Sequence, residues 1–315
     1  MISKGFINRG IFVLKEDEDI VHNKSKISLK INDDWVELGE NDKIFIKPFY
    51  KTENLKKWFV EDTKLYLIYV GNRILTKTIK EYLFQFVNIL INRATIVEDK
   101  IISFKEFEAY TENDIKKVYS SAGAVQKIMK RKMWYSPLYE RSNVPFDENK
   151  IVVNTKNMDV FTFSNRAVYS SGGGAGGQNF IYHKKDSPHF KNSNPNLPAI
   201  YTKFICAVLN SKLIQFYIQG GQYNQLSTSK IGDLPIPKID FTVGNSLFEA
   251  ICTKADLLIV HSSDSRNKVS SEIIMAEKKI DNLVYKLYNI PYNEIKVIDP
   301  GFSLTEDEYD SIKIN

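Results

Sequence analysis

Cysteine is scarce in this 315-residue chain. Cys206 and Cys252 stand in apolar, helix-like segments, and neither belongs to a CxxC pair or a His/Cys cluster. That argues against a disulfide framework and against zinc, and it makes a reducing, cytoplasmic compartment the expectation. Histidine is also rare: His22, His183, His189 and His261 fall in separate segments without ligand spacing. No run approaches the roughly 18 to 20 apolar residues that a membrane span requires. The start, MISKGFINRG, has no apolar stretch behind its charge and does not read as a secretion signal. No segment repeats at a fixed long period.

Catalytic signatures are missing too. The chain has no G-x-S-x-G elbow and no HExxH. Its Gly-rich tract, 172–177, is followed by Gln178 and Asn179, where a phosphate-binding P-loop needs Lys and Ser/Thr. A dinucleotide fingerprint would open a helix, whereas this tract leads into the β-like QNFIYH. The acid pairs, Asp33/Asp34 and Glu16 to Asp19, sit in turn-like, solvated stretches. The expectation is that this chain holds no catalytic residues, no metal and no cofactor.

What is present is ordinary for a globular protein: 26% charged and 43% apolar residues, with a net charge of +5. The length suits about two domains. The charge is uneven, however. Between 116 and 141 lie Lys116, Lys117, Lys127, Lys130, Arg131, Lys132 and Arg141 against a single acid, Glu140. An aromatic cluster, Trp134, Tyr135 and Tyr139, closes the run. Such a segment is either a solvated helix face anchored by Trp134 or a stripe that grips phosphates by displacing counterions.

Residues 1–45 read as short strands and turns, punctuated by Asp33, Asp34, Gly39 and Asn41. KLYLIYV, 64–70, reads as a buried strand. Ile79, Leu83, Phe86, Val87, Leu90 and Ile91 predict an amphipathic helix over 78–93, and another is expected over 112–133. Three β-like stretches follow at 150–154, 159–164 and 178–183. Residues 200–218 are apolar enough for one buried helix, and LPIP, 234–237, reads as an extended exit from it. Leu247, Ile251, Ala255 and Leu258 then face a second helical series, Val269, Ile273, Ala276, Ile280, Leu283 and Leu287, across a polar break at 261–267. Steps of three and four make this an a/d seam, expected to pack as a helical hairpin that Pro291 stops.

Four stretches together resemble one family. IKPFYKTENLKKW (46–58) resembles the K-P-Y-x-x-x-x-D-I-x-x-W start of the C-terminal specificity domain of TaqI-like and Eco57I-like DNA methyltransferases and type IIG restriction-modification enzymes. MWYSPLYERSNVPFDENKIVVN (133–154) resembles their Trp-Tyr, Arg, K-I-(I/V)-x-P segment. ICAVLNSKLIQFYIQGG, continuing to LSTSKIGDLPIPKI (205–239), is similar to a segment they share with type I specificity subunits. AEKKIDNLVYKLYNIPYNEIKVI (276–298) is similar to their I-D-x-L-V-Y-x-L-Y tail. Glu53 and Leu55 depart mildly from the pattern, and Asn154 stands where Pro is usual. The N-P-P-Y motif and the S-adenosylmethionine loop of the methyltransferase module are both absent.

The resemblance implies an α+β fold: a mixed-sheet target recognition domain with flanking helices, followed by a C-terminal helical hairpin. Its boundaries would be a connecting segment at 1–45, the recognition domain at 46–240, the hairpin at 241–298 and a tail at 299–315. It implies recognition of double-stranded DNA on behalf of a methyltransferase, and of a nuclease where one is present, with S-adenosylmethionine bound by that partner. No membrane is involved. Phosphate contacts fall to the cationic run from Lys116 to Arg141. Base reading falls to the polar, loop-borne Ser170, Ser171, Gln178, Asn179, Gln222, Tyr223, Asn224 and Gln225, because amides pair bidentately with adenine edges. Alternatives are a type I specificity subunit or half-subunit, a free nuclease with an unfamiliar site, and a docking module that uses the 269–287 seam.

Overall fold

The computed structural model describes residues 11–24, 26–50, 52–70, 73–86, 113, 148–154, 158–164, 178–183, 190, 195–221, 226–239, 246–262 and 271–312. The chain divides into two compact units, Met1–Phe49 with Lys64–Val144 and Tyr50–Thr63 with Pro145–Asn315. This division runs differently from the sequence-based boundaries, since 46–240 contributes to both units.

In the first unit, β1 (Val13–Lys15), β2 (Ile20–Asn23), β3 (Lys26–Ile31) and β4 (Asp34–Glu37) precede a short helix α1 (Glu40–Lys43). Then come β5 (Ile46–Pro48), β6 (Leu65–Ile68) and helix α2 (Lys77–Phe84). Two three-stranded antiparallel sheets result, ordered β1-β6-β5 and β2-β3-β4. The β3–β4 turn is made by Asn32 and Asp33, at φ 49 and 72. Short polar side chains tolerate that left-handed backbone, which matches the twist of a hairpin. Thr76 caps α2 by accepting the Ile79 N–H at 3.4 Å. The helix then turns Ile79, Tyr82 and Leu83 onto a core with Leu14, Leu29, Phe45 and Ile68. The predicted strand at 64–70 and the start of the helix at 78–93 are therefore present. Val87, Leu90 and Ile91 lie outside the described residues, as does the helix expected over 112–133, Asn113 excepted.

The second unit is built on a sheet of β7 (Lys150–Asn154), β8 (Phe161–Ser164) and β9 (Gln178–Tyr182), with β7 central and both neighbours antiparallel. The α+β class holds, and the described strands form antiparallel sheets where a mixed one was expected. All ladders between the described strands are antiparallel, and the one parallel pairing is an isolated bridge, Glu16 to Ile20. The β2–β3, β3–β4 and β7–β8 pairs are joined by short connections, which favour hairpin pairing over crossovers.

Helices α3 (Leu197–Asn210) and α4 (Lys212–Gly220) cover the 200–218 stretch, which the sequence reads as one helix. The break is Ser211, extended at φ −72 and ψ 153. Its hydroxyl donates to the Val208 carbonyl at 2.6 Å and accepts the Ile214 N–H at 3.5 Å. It therefore closes one helix and caps the next, and the axes bend by 58°. Among the described residues, no single helix is long and apolar enough to cross a membrane.

A short helix α5 (Thr228–Gly232) precedes the hairpin of α6 (Ser246–Ser262) and α7 (Ser271–Leu287). Leu247, Ile251, Ala255 and Leu258 share one buried core with Ala276, Ile280 and Leu283, as the spacing predicts. Val269 lies outside the described residues. The core continues through Phe204, Val208 and Phe161, so the hairpin is part of the unit's interior. Pro291 does not stop α7, which ends at Leu287. Asn289, at φ 53, takes the left-handed position. Ile290 N–H then donates to the Tyr285 carbonyl at 2.9 Å, and Asn289 N–H to the Lys286 carbonyl at 3.0 Å. These are the two bonds of a Schellman stop. Pro291 instead starts α8 (Tyr292–Ile298). The segment read as a tail folds as well: Phe302 and Tyr309, the latter on α9 (Glu306–Asp310), are buried against Tyr285 and Ile295.

Candidate functional site

The second unit is tied together at a joint around Trp58. Trp58 carries φ 80, an uncommon backbone for a bulky side chain, and is 2% exposed. Three groups hold it there. Its N–H donates to the Phe161 carbonyl at 3.3 Å, and its indole Nε1 donates to Glu277 Oε1 at 2.8 Å. Lys57 Nζ pairs with the same Glu277 oxygen at 2.9 Å. Next to it, the Thr162 hydroxyl donates to the Lys56 carbonyl at 2.7 Å.

Asn210 closes the neighbouring strand edge. Its Oδ1 accepts the Phe161 N–H at 3.2 Å and its Nδ2 donates to the Phe161 carbonyl at 2.7 Å. A side-chain amide thereby takes the place of a pairing strand along β8, and both partners are buried. Cys206 lies against the same carbonyl at 3.6 Å. Burial pushes the thiols of Cys206 and Cys252 up to about 12, so both remain protonated near neutrality.

One turn after Glu277, Asp281 Oδ1 accepts the Lys212 N–H at 2.9 Å, at the start of α4. Lys212 Nζ reaches Asp299 at 2.7 Å. Burial pushes Asp281 up to about 6. The Lys212 N–H and the charges of Lys57 and Lys212 hold the value down, and Asp299 adds to the rise. Burial also pushes Tyr285, one further turn along, well above its ordinary range. Glu277 and Asp281 thus clip two distant segments onto one face of α7.

Asp281 has a pH signature with a defined sign. Its pKa is raised from 3.8 to about 6 in the fold, so the folded chain holds this proton more tightly than the unfolded one. The stability it contributes is complete below pH 3.8 and is lost as pH rises through about 6. Asp281→Asn keeps an acceptor for the Lys212 N–H and removes the titration. At about pH 7.5 that variant is expected to equal the parent or exceed it, by up to ~3 kcal/mol, with the gap closing on acidification. Asp281→Ala also removes the titration but orphans the N–H, so it should fall about 1–3 kcal/mol below Asp281→Asn at every pH. Urea unfolding as a function of pH checks both, and an Asn variant clearly weaker than the parent at neutral pH would contradict this assignment.

Every carboxylate at the joint is engaged in holding backbone or lysine. Among the described residues, no group of three or more His, Cys, Asp or Glu side chains is placed to hold a metal ion.

Of the residues predicted to meet DNA, Gln178 and Asn179 are described. They stand in β9, opposite Asn154 and Val153, and so occupy ladder positions and not the flanking loop. Lys116, Lys117, Lys127, Lys130, Arg131, Lys132 and Arg141 lie outside the described residues, as do Ser170, Ser171, Gln222, Tyr223, Asn224 and Gln225. Sequence reasoning passed over the exposed rings of Phe216 and Tyr217, having placed both in the core. It also passed over Asn210, which nothing in the local sequence sets apart from a solvent-facing amide. No protein-family model and no curated protein matches the chain.

Proposed function

We propose that this chain is the sequence-specific, double-stranded DNA recognition part of a restriction-modification system, directing a methyltransferase, with or without a nuclease, to its site. The supporting observation is where the family-like stretches meet. Lys57 and Trp58 come from the first, Asn210 and Lys212 from the third, and Glu277 and Asp281 from the fourth. Trp58 and Asn210 meet on Phe161 of the sheet whose central strand, KIVVN, belongs to the second, and Glu277 and Asp281 join Trp58 and Lys212 to α7. Residues whose order and spacing resemble a specificity domain therefore do the work of assembling one folded unit.

In this proposal the work is binding, in the cytoplasm. S-adenosylmethionine and the transfer chemistry belong to the associated methyltransferase, so the isolated chain supplied with S-adenosylmethionine and Mg²⁺ neither methylates nor cuts plasmid DNA. The cations from Lys116 to Arg141 grip phosphates, and the amides, Gln178, Asn179 and Gln225 among them, read base edges.

The two roles separate in a salt titration. Replacing a phosphate-contacting residue such as Lys130 should weaken binding on every duplex and flatten the salt slope by about one unit. Replacing a base-reading amide should leave the slope unchanged and reduce discrimination at one base pair by roughly 1–3 kcal/mol. The opposite pattern would show the two surfaces to be reversed. No effect from either set would place the DNA face elsewhere.

A further inference from the structure

Three carboxylates meet two lysines where α4, α7 and the end of α8 come together. Lys57 pairs with Glu277 at 2.9 Å and Lys212 with Asp299 at 2.7 Å. Asp281, 8% exposed, is left with the Lys212 N–H and no ammonium of its own. The groups that act on it are Lys212 from α4, Lys57 beside Trp58 and Asp299 after α8. On its own helix, Glu277 stands one turn before it and is matched by Lys57, and Tyr285 stands one turn after. Tyr285 is fully buried, and among the described residues its hydroxyl has no hydrogen-bond partner, so it does not hold the carboxylate.

One ammonium is within reach of two carboxylates. Lys212 donates its backbone N–H to Asp281 at 2.9 Å, which sets that carboxylate beside the root of the same lysine's side chain. The side chain is 49% exposed, and its four-carbon stem is flexible enough to fold back. In the structure the ammonium holds the end of α8 instead. Asp299 Oδ2 takes it, Asp299 Oδ1 accepts the Gly301 N–H at 3.2 Å, and the Asp299 carbonyl accepts the Phe302 N–H at 3.0 Å. This turn lays Phe302 on Tyr285, with ring centroids 5.9 Å apart. While Asp281 is neutral, Lys212 serves one buried anion. Once Asp281 is ionised, two buried anions compete for it and repel each other.

We propose that Asp281 is a proton-operated latch: when protonated it leaves Lys212 on Asp299 and keeps the 299–302 turn closed, and when ionised it draws Lys212 away and lets that turn open. The latch is a property of the fold and does not depend on what the unit binds. Because burial pushes Asp281 up to about 6, the turn closes below that pH and loosens above it. The stability lost on raising the pH is then felt at this turn before the unit as a whole unfolds.

Amide hydrogen exchange of the full chain, resolved by NMR, reads the latch. Gly301 and Phe302 report on the turn, and Ala255 and Leu258 on α6 report on the whole unit. In the parent, protection of the two turn amides, corrected for intrinsic exchange, should fall at least about fivefold between about pH 5 and about pH 7.5, and should stay below that of α6. Asp281→Asn cannot ionise, so its turn should stay protected at both pH values. Lys212→Gln keeps the backbone N–H and loses the ammonium, so its turn should exchange rapidly at both. The latch is overturned if protection at the parent's turn does not change across this range, or if the change persists in Asp281→Asn. It is also overturned if the turn exchanges at the α6 rate, because the turn then opens only with the unit. Should Lys212→Gln not fold, the comparison of the parent with Asp281→Asn decides by itself.

Discussion

Ile280→Asp is expected to destabilise the second unit by on the order of 4 kcal/mol. Ile280 is 1% exposed, in the seam where α7 meets α6, and it shares its core with Leu258, Leu283 and Val284. A carboxylate there loses the buried methyl groups and cannot be hydrated. Ile274→Asp on the same helix is the control. Ile274 is 45% exposed, and a surface change of this kind should fall within about 0.5 kcal/mol of the parent. The expected difference corresponds to roughly 10 °C in the melting of this unit. If both variants melt together with the parent, the seam is not buried in solution.

Asn210→Ala should cost about 2–3 kcal/mol. Removing the amide leaves the buried Phe161 N–H without its acceptor. The Phe161 carbonyl keeps the Trp58 N–H at 3.3 Å and loses the shorter bond of 2.7 Å. Asn210→Asp is the more telling change, because its shape is the same. The new carboxyl can still accept from the Phe161 N–H, but when ionised it sets an oxygen against the Phe161 carbonyl in a buried place. Its cost should therefore exceed that of alanine near neutrality and shrink on acidification, once the carboxyl can donate. Urea denaturation at two pH values measures this. Equal stability of the Asp variant and the parent at neutral pH would mean that the amide does not bridge the strand edge.

These two residues mark the extent of what the sequence reveals. Ile280 was legible because burial on a helix follows a periodicity, and the steps of three and four along α6 and α7 survive in the fold. The strands at 150–154, 159–164 and 178–183 were legible for a similar reason, being short β-branched and aromatic runs between turn-formers. Asn210 was not legible. Nothing local distinguishes an amide that bonds a strand 49 residues away from one that faces water. The α3–α4 break was hidden in the same way, since the polar Asn210, Ser211 and Lys212 contain no helix breaker and only the cap geometry of Ser211 reveals the stop. Asn289 took over the stop expected of Pro291, because a Schellman end needs one left-handed residue and asparagine accepts that role.

The candidate site divides along the same physical line. Charge runs and loop amides can be counted in a sequence, which is how Lys116 to Arg141 and Gln222 to Gln225 were chosen. The exposure of Phe216 and Tyr217 could not be counted. An apolar ring on an apolar helix reads as core until the direction of each side chain is known, and here Ile214 and Ile218 take the inner side.

The most direct measurement is selection of bound duplexes from a randomised pool by the purified chain, at near-physiological salt, with the retained DNA sequenced over successive rounds. A recognition domain enriches one short motif, and single-base changes in that motif should each weaken binding by roughly 1–3 kcal/mol. Retention without enrichment, or no retention by a folded chain, would contradict sequence-specific DNA recognition by this protein.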